Sequence, residues 1–252
     1  MEIVIIGVGN TATVLGKKLK RAGHKIVQVF GREAELASEL ASNLDTEYIT
    51  TLSEVDQTAD IYIIAVNDAA IEEVVKEIQL PNKIVVHTAA SVSKDILSKA
   101  TVYVGVFYPL QSLKKDITHI PITPIIIDAS DIQTLEKLKK LAYTISDQVV
   151  HVSEEDRSKL HLAAVFCNNF VNHIYVLMED YCNKEHLDFN LLKPLIQETA
   201  ERINDSSAKT IQTGPAVRND TTTINKHLMM LHQYPHLINL YQVLTNSIRI
   251  FK

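Results

Sequence analysis

The chain of 252 residues has no tryptophan, two cysteines, seven glycines and an aromatic content of only 6%. Cys167 and Cys182 fall in one helix-forming stretch. At about 1.5 Å of rise per residue they stand roughly 22 Å apart, too far to bridge each other. A disulfide framework is excluded, and a reduced, cytoplasmic setting is the expectation. Nor is there a surplus of basic charge: 25 Lys and Arg face 30 Asp and Glu, for a net charge of −5. That balance argues against a nucleic-acid groove. No apolar run approaches the roughly 20 residues of a membrane span, and the apolar start is only a strand long, without the basic flank of a secretory signal. No metal site is expected either. His232 and His236 have a ligand-like spacing, but Pro235 breaks any helix between them.

What the chain does have is concentrated at its beginning. Four consecutive β-branched residues, Ile3-Val4-Ile5-Ile6, run into Gly7-Val8-Gly9-Asn10-Thr11-Ala12, and a helix-forming run follows at once. Gly-x-Gly-x-x-Ala between a buried strand and a helix is the dinucleotide-binding turn. Gly7 permits the tight turn, Gly9 lets the backbone approach a pyrophosphate, and Ala12 lets the helix pack close to the strand. The anion then sits on unpaired N–H groups at the positive end of that helix.

A second strand, Lys25 to Phe30, arrives where a βαβ unit requires it. At its end, where NAD enzymes carry an acid for the ribose 2′-hydroxyl, stands Gly31, followed by Arg32 and Glu33. A guanidinium that forks onto a phosphate suits NADP; Glu33 keeps NAD as the lesser alternative. Further strands are expected at Asp60–Val66, Lys83–Val86, Thr101–Phe107, Pro124–Asp128 and Gln148–Val152, with helices between them. The fold class is α/β, a doubly wound, mostly parallel sheet followed by a smaller all-helical domain.

Composition changes near residue 152. Six of the seven glycines lie at or before Gly105, and Glu154 to Asn183 contains neither Gly nor Pro. That segment reads as one long helix, capped by Ser153, whose middle, Leu160 to Tyr175, carries too few charges for solvent. It is expected to be buried inside a helical domain or against a second subunit. The expected domains are therefore 1–152, binding NADP, and 153–252, serving the substrate and dimerisation.

Ligands of open α/β sheets lie outside the carboxyl ends of the strands. Val66, Asn67 and the segment from His87 to Ser91 would then frame the nicotinamide. A strand-end imidazole, His87, could deliver a proton as hydride arrives, with Thr88 and Ser91 bonding the same oxygen. The alternative is a satisfied polar His87, with Ser91 or Ser93 capping the next helix. Tyr108-Pro109-Leu110-Gln111 is a pocket wall or a rigid turn. On the long helix, His161 and Asn168 lie on one face, with Lys159 and Asn169 nearby, and a buried amide must find partners in substrate or in a neighbouring helix. Arg218 could bind an anion or pair with a cap acid, and Asp220 or Thr221 would cap the helix that follows.

These segments together resemble a bacterial family of Rossmann-like proteins with a helical second domain of unknown function, labelled as NADP oxidoreductases without an assigned substrate. The resemblance is carried by Gly7-Val8-Gly9-Asn10, His87-Thr88-Ala89-Ala90-Ser91, Tyr108-Pro109-Leu110-Gln111, His161-Leu162-Ala163-Ala164 with Asn168-Asn169, and Thr213-Gly214-Pro215 with Arg218 and Asp220. More distantly the chain is similar to pyrroline-5-carboxylate reductase, deazaflavin-dependent NADP oxidoreductases and the β-hydroxyacid dehydrogenases. That group implies hydride transfer between a Rossmann domain and a helical domain that commonly dimerises. The Lys-x-x-x-Asn of β-hydroxyacid dehydrogenases is missing: Ala164 and Val165 stand four residues before Asn168 and Asn169.

The expected function is NADP-dependent hydride transfer to or from a small carbonyl, imine or hydroxyacid, in a homodimer assembled through the helical domain. Gly7, Gly9, Asn10, Thr11, Ala12, Arg32, Val66 and Asn67 would hold the cofactor, and His87, Ser91 and Asn168 would face the substrate. A non-catalytic NADP-binding sensor or scaffold is the alternative. A deazaflavin–NADP reductase ranks last, since aromatic residues are few.

Overall fold

The computed structural model describes residues 1–116 and 121–251. Two compact units divide between Asn169 and Phe170. The first is built on an eight-stranded sheet of order β3-β2-β1-β4-β5-β6-β7-β8. Its strands are β1 (Glu2–Ile6), β2 (Lys25–Phe30), β3 (Glu47–Ile49), β4 (Ile61–Ile64), β5 (Ile84–His87), β6 (Val104–Pro109), β7 (Ile125–Ala129) and β8 (Val149–His151). All pairings are parallel except β6 with β7, which run antiparallel from Gly105 opposite Ala129 to Pro109 opposite Ile125. The sequence places seven of these strands; β3 is too short to show a pattern.

Uninterrupted apolar strands follow from burial on both faces. Along β1, Ile3 and Ile5 pack into one layer with Leu15 and Leu19, while Val4 and Ile6 enter the other with Val74 and Val75. Helices α1 (Asn10–Arg21), α2 (Ala34–Leu44) and α4 (Ile132–Tyr143) supply the first layer. Helix α3 (Ile71–Glu77) and the 3-10 turn Lys94–Lys99 supply the second. Burying a β1 side chain of this size contributes roughly 1.5–3 kcal/mol.

Among the described residues the last strand ends at His151, and the elements after it are helical. Ser153 accepts the Asp156 N–H at 3.1 Å and caps α5 (Glu154–Ala164), as its place in the sequence predicts. The helix continues through a π-helical turn, Val165–Phe170, into α6 (Val171–Lys184). The compact division therefore lies inside this helical stretch, beyond residue 152. One reason is Arg157, which buries its side chain among the loops of the sheet.

The second unit contains α6, α7 (Lys193–Arg202), α8 (Ala208–Ile211), α9 (Pro215–Arg218), α10 (Thr221–Met230) and α11 (Pro235–Ile250). Asp220 caps α10 through the Thr223 N–H at 3.0 Å. Among its described residues the buried hydrophobic ones are few: Cys182, Ala216, Ile224 and Leu237. The expected burial of Leu160–Tyr175 within the chain is not found, since Leu162 and Phe166 are each 60% exposed and Phe170 is 50% exposed. By length and composition the helix Glu154–Lys184 suffices to cross a membrane, with a mean hydropathy of 1.2 in its most apolar stretch. Polar residues are scattered through this stretch, so no uninterrupted apolar run marks it in the sequence.

Candidate active site

The sheet's crossover reverses between β1 and β4, so the loops after these two strands splay apart and leave a crevice. A cleft of about 370 Å³ opens there. Gly7, Val8, Gly9, Asn10 and Thr11 form one wall, Gly31, Arg32 and Glu33 the next, and Ala65, Val66, Asn67 and Thr88 the third. Of the eight expected cofactor residues, seven line the cleft. Ala12 does not: it is fully buried behind the turn, where its small side chain lets α1 approach the sheet.

Local geometry explains these residue types. Gly7 has φ of +127°, and a Cβ on it would strike the Ala65 carbonyl. A Cβ on Gly9 would meet no protein atom within 4 Å, so that side of the turn is free for a ligand. Gly9 begins α1 without any side-chain cap, and no acid occupies the first turn. The helix amides are therefore free to bond phosphate oxygens, which fits a dinucleotide. The Asn10 side chain is used differently: its Oδ1 accepts the Lys115 N–H at 3.0 Å and ties the segment after β6 to the turn.

Arg32 borders both this cleft and an adjoining pocket of about 290 Å³ lined by Thr50, Thr51 and Leu52. It is exposed and forms no ion pair among the described residues, so its guanidinium is available to a ligand.

The expected catalytic group does not assemble as the sequence suggested. His87 is wholly removed from solvent. Its Nδ1 accepts the Ala89 N–H at 3.1 Å, and its Nε2 makes no hydrogen bond. Burial, and then the Arg157 guanidinium, push its pKa down to about 4, with the Ser93 backbone opposing. The buried imidazole is held neutral within the sheet layer and does not line the cleft. Ser91 is exposed but does not line the cleft, and Ser93, not Ser91, caps the following 3-10 turn through the Asp95 N–H. Asn168 is exposed on the π-helical turn, whose wider winding shifts the register that would have aligned it with His161. Neither Asn168 nor Asn169 makes a side-chain hydrogen bond among the described residues.

Lys159, the lysine nearest in sequence to the missing motif, is committed to Glu155 at 2.6 Å and Asp156 at 3.6 Å. A different pair does form. The Tyr108 hydroxyl and Nδ1 of His161 share a hydrogen bond of 3.2 Å, with the rings edge-on at 6.2 Å. Tyr108 is the next-to-last residue of β6, at the carboxyl edge of the sheet. Burial and then the charge of Asp68, next to the cleft residue Asn67, raise its pKa. The sequence names both residues separately but carries no signal that joins them, because they are 53 positions apart.

Comparison with known proteins gives the same frame. Residues 123–248 match the family described as "Domain of unknown function (DUF2520)", and residues 2–91 match "NADP oxidoreductase coenzyme F420-dependent". The chain belongs to the DUF2520 family. Among solved structures, the "putative NADP oxidoreductase BF3122 from Bacteroides fragilis" is 40% identical over 98% of this chain and 97% of that one, with a TM-score of 0.91. The fold also matches 1-pyrroline-5-carboxylate reductase from Streptococcus pyogenes, at 16% identity over 99% and 98% of the two chains and a TM-score of 0.67. An imine reductase from Myxococcus stipitatus, solved with NADP+, matches at 15% identity over 99% and 93%, with a TM-score of 0.63. No curated protein matches the chain. The DUF2520 chain thus shares its whole architecture, a Rossmann sheet followed by helices, with NADP-linked oxidoreductases.

Proposed function

We propose that this DUF2520 protein is an NADP-dependent reductase or dehydrogenase of a small carbonyl, imine or hydroxyacid, with Tyr108 in place of His87 as the proton donor. The observation that carries the reading is the cleft itself, in which the uncapped amide end of α1 and the free guanidinium of Arg32 line the same space. Backbone N–H groups of Asn10 and Thr11 would hold the diphosphate, Arg32 the 2′-phosphate, and Val66, Asn67 and Thr88 would border the nicotinamide. When bound, NADPH supplies a hydride to the substrate carbon. The chain's task is then to protonate the oxygen or nitrogen that gains the electron pair. With Nδ1 protonated, His161 donates to the phenol oxygen of Tyr108 and leaves the phenolic proton for the substrate. His161 relays a proton back to the phenolate afterwards.

Calorimetric titration with NADPH and with NADH, followed by NADPH-consumption assays over carbonyl, imine and oxoacid panels, tests the reading. Tighter binding of NADPH than of NADH, with turnover that Tyr108→Phe removes while NADPH affinity persists, is expected. Failure of folded, nucleotide-free protein to bind either nucleotide overturns it. The engagement of Lys159 by two acids favours a second reading, an NADP sensor without turnover. NADPH binding with no turnover on any panel would select that reading.

The exposed apolar residues of α6, α10 and α11, including Val176, Met229, Met230, Val243 and Leu244, support a homodimer formed by the helical unit. Met178, Leu231, Leu237 and Leu244 also line an apolar groove of about 380 Å³ there. Light scattering should report about twice 28.2 kDa. A monomer, or protein that stays in solution only with detergent, removes the proposal.

A further inference from the structure

Arg157 is the largest side chain fully withdrawn from solvent, and a buried guanidinium is costly unless its donors are met. Its Nε donates to the Ala90 carbonyl at 2.8 Å and its Nη2 to the Val92 carbonyl at 2.6 Å. Nη1 stands 3.9 Å from Oδ2 of Asp128 and makes no hydrogen bond. Both strong bonds therefore go to the backbone of one loop, the segment from Thr88 to Ser93 that continues β5. Thr88, its first residue, lines the cleft. The loop is held at its other end as well, where Lys94 pairs with Asp128 at 2.8 Å.

The peptide planes carry this further. The chain has no cis peptide bond among the described residues, and in a trans peptide a carbonyl and the next N–H point in opposite directions. With the Ala90 and Val92 carbonyls both turned to the guanidinium, the N–H groups of Ser91 and Ser93 both turn away from it. Exposed Ser91 stands between the two clamped carbonyls. Without the clamp, either peptide could rotate and exchange a donor for an acceptor along this loop.

We infer that Arg157 is a positioning residue of the cofactor cleft, fixing the path of the Thr88–Ser93 loop, and with it Thr88, against the nicotinamide end of bound NADP. The inference rests on the reading of the cleft as an NADP site. It assigns Arg157 no contact with the adenosine half, which is bordered by Gly31 and Arg32, and the test uses that difference.

Arg157→Gln and Arg157→Lys are titrated with NADPH and with 2′-phospho-ADP-ribose, which retains the adenosine, 2′-phosphate and diphosphate but lacks nicotinamide. Loss of two charge-assisted bonds is expected to weaken NADPH about tenfold or more and to leave the shortened ligand within about twofold in the Gln variant. The Lys variant, a point donor in place of a fork, should fall between, and it carries the test should the Gln variant not fold. Equal losses for both ligands would mean general destabilisation and overturn the inference, as would unchanged NADPH affinity. Amide hydrogen exchange is measured on the same variants. The Thr88 N–H, bonded to the Ile64 carbonyl at 3.1 Å, and the Ala89 N–H should exchange faster while β1 stays protected. Unchanged exchange at both overturns the clamp even if the wild-type chain binds neither ligand, an outcome that by itself removes only the cofactor reading.

Discussion

Val8 occupies the space that a side chain on Gly31 would need: a Cβ at residue 31 would meet Cγ1 of Val8 at 2.5 Å and Cβ of Ala37 at 3.1 Å. Packing of the phosphate turn against the end of β2 thus keeps a ribose-binding acid out of the position where NAD enzymes carry it. In the proposed NADP site, recognition of the adenosine ribose would pass to the next residue, Arg32, which lines the cleft.

Gly31→Asp should therefore lower the melting temperature without creating NADH affinity, since the acid cannot be seated while Val8 stays in place. Combining it with Val8→Ala should restore part of the stability and shift preference toward NADH. Differential scanning fluorimetry with nucleotide titration checks both steps. A single Gly31→Asp variant that is as stable as wild type and binds NADH tightly would contradict the packing argument.

Arg32→Ala removes a cation that borders both the cleft and the adjoining pocket. A charge-assisted bond to phosphate is worth roughly 1.5–3 kcal/mol, so NADPH affinity should fall about tenfold to a hundredfold. NADH affinity should change little. Equal losses for the two nucleotides would place the 2′-phosphate elsewhere.

Gly7→Ala should be among the most damaging single changes in the chain. It forces an L-residue to φ of +127° and drives its Cβ into the Ala65 carbonyl. The backbone conformation alone costs on the order of 1–3 kcal/mol. The expected result is a lowered melting temperature and loss of NADPH binding; a variant with wild-type stability and affinity would show that the turn has another geometry.

His87 makes stability fall with acid. Its pKa is held at about 4 in the fold, against 6.5 for an unhindered imidazole, so the folded chain resists a proton that the unfolded chain takes up. Its contribution is full above about pH 6.5, is lost progressively as pH falls toward 4, and amounts to on the order of 3 kcal/mol. Denaturant unfolding of wild type and His87→Gln between pH 7 and 4 measures it. The variant should show a shallower decline; superimposable pH profiles would mean that His87 is not held neutral by burial.

The sheet and the phosphate turn are legible in the sequence because each rests on local chemistry. Uninterrupted β-branched runs require burial on both faces, Gly7 and Gly9 meet backbone demands at their own positions, and Ser153 and Asp220 bond amides within three residues. β3 escapes because three residues carry no periodicity. The candidate catalytic residues were harder to read. His87 ends its strand as a proton donor would, and nothing local tells that its ring enters the sheet layer beside Arg157.

By itself, the sequence determined the strand–turn–helix that meets a dinucleotide, the alternation that builds a parallel sheet, and the change to helices after residue 152. These follow from interactions within a few residues or one period of the chain. The tertiary structure alone decided that Tyr108 meets His161, that Val8 excludes a side chain at Gly31, and that Arg157 grips the carbonyls of Ala90 and Val92 across more than sixty residues of chain. It also decided that Leu162, Phe166 and Phe170 of the long helix are left at least half exposed. Each of these depends on which distant segments the sheet order brings side by side, and spacing along the chain carries no record of that.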